Sequence, residues 1–146
     1  MSSHQSETPS DYLVTPGVGK GPGIIVLHSG RGLTPFIDRL CGRLAREGFV
    51  ALAPDIFIGE KPTTKQQAQQ IKAEIETDRL LNRLEDTVEF LRQHDSVSRP
   101  EIGVLGVGYG AEIACSIAPR INDECGGIIL FYGYQDTDWR TIDTPI

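Results

Sequence analysis

Cysteine, histidine, basic charge and long apolar runs are all scarce in this 146-residue chain, and each shortage removes a class of function. The three cysteines, Cys41, Cys115 and Cys125, make no Cys-x-x-Cys pair. That spacing is what zinc ribbons and dithiol redox motifs need, so no metal and no cofactor is expected. A sparse, odd cysteine count suits a reducing compartment. Basic residues number 14 against 20 acidic ones, for a net charge of -6. With no basic run to offset it, this argues against a nucleic-acid partner. No stretch approaches the ~18 consecutive apolar residues of a membrane span. The polar start, MSSHQSETPS, lacks the apolar core of a signal peptide. Together these absences lead to the expectation of a cytoplasmic protein away from membranes.

What is present reads as one folded unit. Residues 1–10 are expected to form a disordered tail and residues 11–146 a single domain. A chain of this length buries roughly 70% of its unfolded surface, enough for a real core. Ile24–Leu27, Phe49–Ala53, Ile102–Leu105 and Gly127–Tyr132 are continuous apolar runs. Such runs suit strands covered on both faces. Between them, Phe36, Leu40, Leu44 and Ala45 fall at helical spacing after Thr34-Pro35, and Gly48 suits the helix end. A longer helix over 75–94 carries Leu80, Leu81, Leu84, Val88 and Leu91 on one face. His94 closes it, where a cation suits the helix dipole. Residues 110–117 form a third helix. Asp11–Thr15 reads as a short edge strand, and the polar stretch 63–70 as a lid-like excursion or a solvated helical turn. Alternating strands and helices predict an α/β fold with a mostly parallel sheet and helices on both faces. Ligands in such sheets bind beyond the carboxyl ends of the strands. Two glycine-containing loops lie there: His28–Gly32 and Gly106–Gly110.

The second loop is arranged to present a nucleophile. Gly106-Val107-Gly108-Tyr109-Gly110 has the Gly-x-nucleophile-x-Gly spacing of a strand-to-helix elbow, but its central residue is Gly108, which has no side chain. Two nucleotide-site readings are weaker. Gly106-x-Gly108-x-x-Ala111 matches a dinucleotide-binding fingerprint, but it follows the third buried strand rather than the first. Tyr132-Gly133-Tyr134-Gln135 also stands where an acidic residue should end the next strand. Pro16–Gly23 is glycine-rich, but Lys20 is followed by Gly21 and a strand, not by the Ser/Thr and helix of a phosphate loop.

Leu27-His28-Ser29-Gly30-Arg31-Gly32-Leu33, followed by a helix and by Gly48-Phe49-Val50-Ala51-Leu52-Ala53-Pro54-Asp55, resembles the dienelactone hydrolase family of the α/β-hydrolase superfamily. Ile102–Gly106 leading into Tyr109-Gly110-Ala111 is similar to that family's nucleophile strand and elbow, and Gly127–Gly133 to its next strand. The resemblance covers roughly residues 11–146. It implies cleavage of a small ester or lactone by a nucleophile, a histidine and an acid. The nucleophile, usually cysteine, falls at Gly108, and a glutamate that follows the first strand's histidine falls at Ser29; both are substituted. Backbone N–H groups of Gly30 and Tyr109 take the oxyanion-hole positions, and such donors survive side-chain changes. His28, Arg31 and Asp55 are candidate substrate contacts, with Arg31 and Arg79 as guesses for gripping a substrate carboxylate.

The family's acid and histidine lie beyond the last matching residues, and no histidine follows His94. The chain is therefore expected to be a C-terminally incomplete domain, impaired or inactive in triad hydrolysis. The alternative is a non-catalytic remnant that binds a small ligand or a partner. Each candidate also has a plainer reading: a structural hydrogen bond for His28, a turn cap for Asp55, a loop-to-backbone bond for Ser29, and burial as a small residue for each cysteine. Tyr132, Tyr134 and Trp139 could line an aromatic wall or simply pack at a sheet edge. An incomplete sheet would expose an apolar edge strand, which predicts dimerisation or poor solubility.

Overall fold

Four apolar runs become neighbouring strands because residues of alternate parity on each have their own core to enter. The computed structural model describes residues 11–132. Its strands are β1 (Tyr12–Val14), β2 (Gly23–Leu27), β3 (Val50–Ala53), β4 (Ile102–Val107) and β5 (Cys125–Phe131). They form one sheet in the order β1-β3-β2-β4-β5. All neighbours run parallel except β1, which lies antiparallel on β3 with Leu13 opposite Leu52. The edge strand expected at residues 11–15 thus closes one side.

The helices are α1 (Pro35–Arg46), α2 (Lys65–Glu74), α3 (Thr77–Arg92) and α4 (Tyr109–Ile117), with a short 3-10 segment, Ala118–Glu124, leading into β5. Ile25, Leu27 and Val104 enter one core with Leu80, Leu84, Val88 and Leu91 of α3 and Ile113 and Ile117 of α4. Ile24, Val26 and Leu105 enter the other with Ile37, Cys41 and Ala45 of α1. Helices therefore cover both faces, as parallel sheets require. No helix among the described residues is long and apolar enough to cross a membrane.

One sequence expectation needs correction, and one pair of alternatives is decided. The buried stripe of α1 is Ile37, Cys41 and Ala45, while Phe36 is 54% exposed and Leu40 and Leu44 are partly buried. Starting the helix at Pro35 turns the i, i+4, i+8 row beginning at Ile37 onto the sheet, one residue from the expected phase. Of the two readings of the stretch 63–70, the structure shows the solvated helical one: Lys65 opens α2. Thr64 caps that helix by accepting the Gln67 N–H, and the Gln67 side chain accepts back from Thr63. This reciprocal arrangement starts a helix whose apolar side is short, Ala68 and Ile71 with Ile75 at the cap. Gln70 and Lys72 to Glu74 add no periodic signal, which is why apolar spacing does not reveal it.

All three cysteines are buried free thiols. Burial, with the Asp38 carboxylate nearby, pushes the Cys41 thiol up to about 12. It stays protonated and inert at neutral pH.

Candidate active site

Strand order sets the position of the site before any side chain does. The chain passes from β2 to β3 on one side, then crosses back to place β4 on the other side of β2. Leu27 pairs with Gly106, so the loops leaving β2 and β4 emerge side by side at this reversal. Such a switch point opens a crevice at the carboxyl ends of the strands. The structure brings Ser29, Gly30, Gly108 and Tyr109 together there.

The elbow glycines have distinct physical jobs. A Cβ on Gly106 would lie 2.3 Å from the Gly110 carbonyl oxygen, and one on Gly110 would lie 2.0 Å from the Leu27 carbonyl oxygen. Both are therefore packing requirements, because α4 leaves β4 hard against β2. Gly108 differs. Its backbone adopts φ 59°, ψ -116°, a conformation that L side chains rarely adopt. It is held from both sides: the Gly108 N–H donates to Phe131 O at 2.7 Å, and its carbonyl accepts from the Ala111 and Glu112 N–H groups. A Cβ here would meet only Ser29, with Cβ at 3.4 Å, an ordinary contact. The position has the geometry and the room for a nucleophile and carries none.

Two backbone N–H groups lie near this position: Tyr109 adjoins Gly108 in the chain, and Gly30 follows Ser29, whose Cα is 3.8 Å from where a Gly108 Cβ would sit. Gly30 N–H donates to no described residue. Tyr109 is the first residue of α4, so its N–H is one of the helix's unclaimed amides. The Ser29 carbonyl closes a turn by accepting Gly32 N–H at 3.0 Å, and its hydroxyl accepts Arg31 N–H at 3.3 Å.

His28 lies beneath the loop, fully buried. Its Nδ1–H donates to Ser29 O at 2.7 Å, and its Nε2 accepts Ile56 N–H at 3.0 Å. Asp55 Oδ1 is 3.8 Å from Nε2, but an accepting Nε2 carries no proton to share, so this is not an ion pair. Both ring nitrogens are engaged by backbone, Nδ1 by Ser29 O and Nε2 by Ile56 N–H. The Asp55 carboxylate is likewise spent on its own turn, accepting Phe57 N–H at 3.1 Å and Gly59 N–H at 2.7 Å. Its main chain is clamped too, with its N–H on Asp11 and its carbonyl on Arg83. For both residues the plainer sequence reading describes the bonds observed.

Arg31 is exposed at the rim of the loop. Arg79 lies beside Ile56, Ile58 and Glu74 in a separate hollow, away from Gly30 and Tyr109. His94 lies two residues past the end of α3, in the connection that leads to the start of β4, and so sits at the opposite end of the sheet; its Nδ1 accepts Ser96 N–H. Tyr134, Trp139 and residues 144–146 lie outside the described residues. Among the described residues, no group of histidine, cysteine and carboxylate side chains could hold a metal. β5 ends in Phe131 and is followed by Tyr132, with no acid at the ribose position of the dinucleotide reading.

Two side chains that sequence reasoning missed shape the site. Phe57 packs edge-on to His28 at 4.9 Å between ring centroids and stacks with Tyr109 at 5.9 Å. The Nζ of Lys72, on α2, lies 4.7 Å from the Tyr109 ring centroid and 3.3 Å from where a Gly30 Cβ would sit. Burial, with Glu112 adding, pushes the Tyr109 hydroxyl above its ordinary range, so it stays protonated. Nothing local in the sequence signals Lys72, because its place depends on how α2 folds back over the first loop.

The family model for the dienelactone hydrolase family matches residues 10–146. Protein usf of Aquifex pyrophilus is 33% identical over 92% of this chain and 62% of its own length. A carboxymethylenebutenolidase from Pseudomonas sp. (strain P51) is 30% identical over 84% of this chain and 54% of its own. Among solved structures, a dienelactone hydrolase-like promiscuous phosphotriesterase from metagenomic libraries superposes with a TM-score of 0.73 at 20% identity, covering 84% of this chain and 53% of that one. The likeness to that structure concerns the fold. The chain spans between about half and two thirds of the length of these relatives.

Proposed function

The chain belongs to the dienelactone hydrolase family, and from that premise we propose that it receives the carbonyl of a small ester or lactone at the Gly30 and Tyr109 amides but does not turn it over by the usual covalent route. One observation carries this reading: a vacant nucleophile position at Gly108, held at φ 59° with room for a side chain. Where a nucleophile stands there, its attack makes an oxyanion that two backbone amides stabilise, and a histidine base carries the proton. Here the amides remain. Of the two histidines among the described residues, His28 has both nitrogens engaged and His94 is at the far end of the sheet. The Pseudomonas relative's name points to a butenolide, which makes a small unsaturated lactone the first ligand to try.

The test pairs an activated phenyl ester with an unreactive butenolide. The wild-type chain is expected to be stabilised saturably by the butenolide, since a ligand bound to the native state raises its melting temperature. It should release phenol no faster than buffer does. Gly108→Cys is expected to give one equivalent of phenol as a burst and then stall, at a cost of about 1–3 kcal/mol for a side chain in this backbone region. Wild-type turnover that Ser29→Ala abolishes would sink the proposal, because Ser29 would then be the working nucleophile.

The same reading extends to assembly and setting. Ile128 and Leu130 of β5 enter the core with α3, while Ile129 and Phe131, of opposite parity, are each 47% exposed. Beside Leu44 and Phe49 this leaves an apolar hollow of about 680 Å³ over the starts of β4 and β5. A second copy paired along β5 would cover it, since an apolar strand at the edge of the described sheet invites another strand. Sedimentation should show mass rising from 16.0 kDa toward a dimer with concentration, and Ile129→Lys should hold the protein monomeric. A monomer at every concentration argues against the pairing. Three buried free thiols suit the reducing cytoplasm.

A further inference from the structure

Beside the elbow lies a second hollow of about 680 Å³, bounded by the Ser29-Gly30-Arg31 loop on one side and α2 on the other. Lys65, Ala68, Gln69 and Lys72 line it from α2 at positions i, i+3, i+4 and i+7, which places them on one helical face. Ala68 is small and buried at the middle of that face, so the two lysines flank open space. Arg31 lines the opposite wall. The lining thus holds three cations and no carboxylate, in a chain whose acidic residues outnumber its basic ones by 20 to 14. The ion pairs among the described residues draw their cations from Arg83, Arg92 and Arg120; none involves Arg31, Lys65 or Lys72. The Lys72 ammonium instead rests on the Tyr109 ring. Thr64 and Lys65, the cap and first residue of α2, also line the hollow, adding that helix's first amides to the positive wall.

We propose that this hollow takes the phosphoryl group of a small ligand. A carboxylate brings one negative charge, and one cation answers it. Three uncompensated cations from two elements match a group that carries close to two charges and offers three acceptor oxygens. Gly30 lines this hollow and also supplies an amide to the elbow, so the two sites share a wall. The ligand class that fits both is a phosphorylated ester or lactone. Its carbonyl end rests on the preceding reading; the phosphoryl end does not.

The experiment is titration calorimetry with phenyl phosphate, inorganic phosphate and benzoate at fixed ionic strength. The expected result is saturable binding of both phosphates, with benzoate weaker by about tenfold, the loss of about 1.4 kcal/mol. Affinity for phenyl phosphate should rise as pH passes ~6 and the second proton leaves. Lys65→Gln changes an exposed side chain away from the elbow and should weaken phosphate about tenfold. Adding Arg31→Gln should abolish measurable binding. Equal affinity for benzoate, or phosphate binding untouched by Lys65→Gln, overturns the proposal. Phosphate binding without butenolide stabilisation would remove only the elbow reading. Butenolide stabilisation without phosphate binding would remove only this one.

Discussion

Gly110→Ala is expected to abolish the native fold. The added methyl would sit 2.0 Å from Leu27 O, 2.5 Å from Leu27 C and 2.7 Å from His28 O. All three are backbone atoms of β2 and the loop that follows it, so no side chain can rotate out of the way. Relief requires α4 to lift from the sheet, which withdraws Ile113, Ala114 and Ile117 from their core. Ordinary overpacking costs about 1–3 kcal/mol. A clash with immobile backbone belongs at or beyond the top of that range, a large share of the 5–15 kcal/mol typical of a whole domain. Gly42→Ala is the control. Gly42 lies inside α1, where a methyl meets nothing closer than Arg46 Nη1 at 3.8 Å. It should be neutral or stabilising by up to about 1 kcal/mol. Thermal melts of the two variants beside wild type decide the matter; equal melting of Gly110→Ala and wild type would mean that α4 does not pack as described.

Arg83→Met should be the next most damaging change. Arg83 Nη2 donates to Asp11 Oδ1 at 3.0 Å, and Nη1 to Asp55 O at 3.0 Å. The same Asp11 oxygen accepts Asp55 N–H at 2.7 Å. One arginine on α3 thereby ties the residue before β1 to the turn after β3, and that turn places Ile56 N–H on His28 and Phe57 against Tyr109. The Asp11 side chain is only 1% exposed and the Arg83 side chain 18%. Removing the cation takes Arg83 away from a buried carboxylate, and breaking a buried pair from one side costs about 3 kcal/mol or more. The urea midpoint should fall by roughly 1–3 M, given a slope of about 1–3 kcal/mol/M. In a double-mutant cycle, Asp11→Asn with Arg83→Met should recover part of the loss, since the stranded charge is gone. Strict additivity would mean that the pair is not coupled.

The strands were readable because each is a run of apolar residues, a property of composition that burial on both faces demands. Their order was not. Nothing in β2, β3 or β4 says that β4 pairs with β2 rather than with β3, yet that pairing is what puts the two glycine loops side by side. The elbow was visible from its glycine spacing, but the spacing alone does not separate the glycines that packing needs, Gly106 and Gly110, from Gly108, whose positive φ and open space set it apart. His28 and Asp55 show the same limit. Each stands at a strand's carboxyl end, where site residues are found, and only their backbone bonds reveal structural work.

The sequence by itself determined the fold class, the resemblance to the dienelactone hydrolases and the missing side chain at position 108, because these are matters of residue type and local spacing. Tertiary structure alone decided that Lys72 lies over Gly30 and Tyr109 and that Arg31 and Lys65 face one hollow free of acids. Those groups are distant along the chain, and α2 offers only Ala68 and Ile71, with Ile75 at its cap, to announce where it docks. A charge acquires a role from what the fold sets opposite it, and that is a nonlocal quantity.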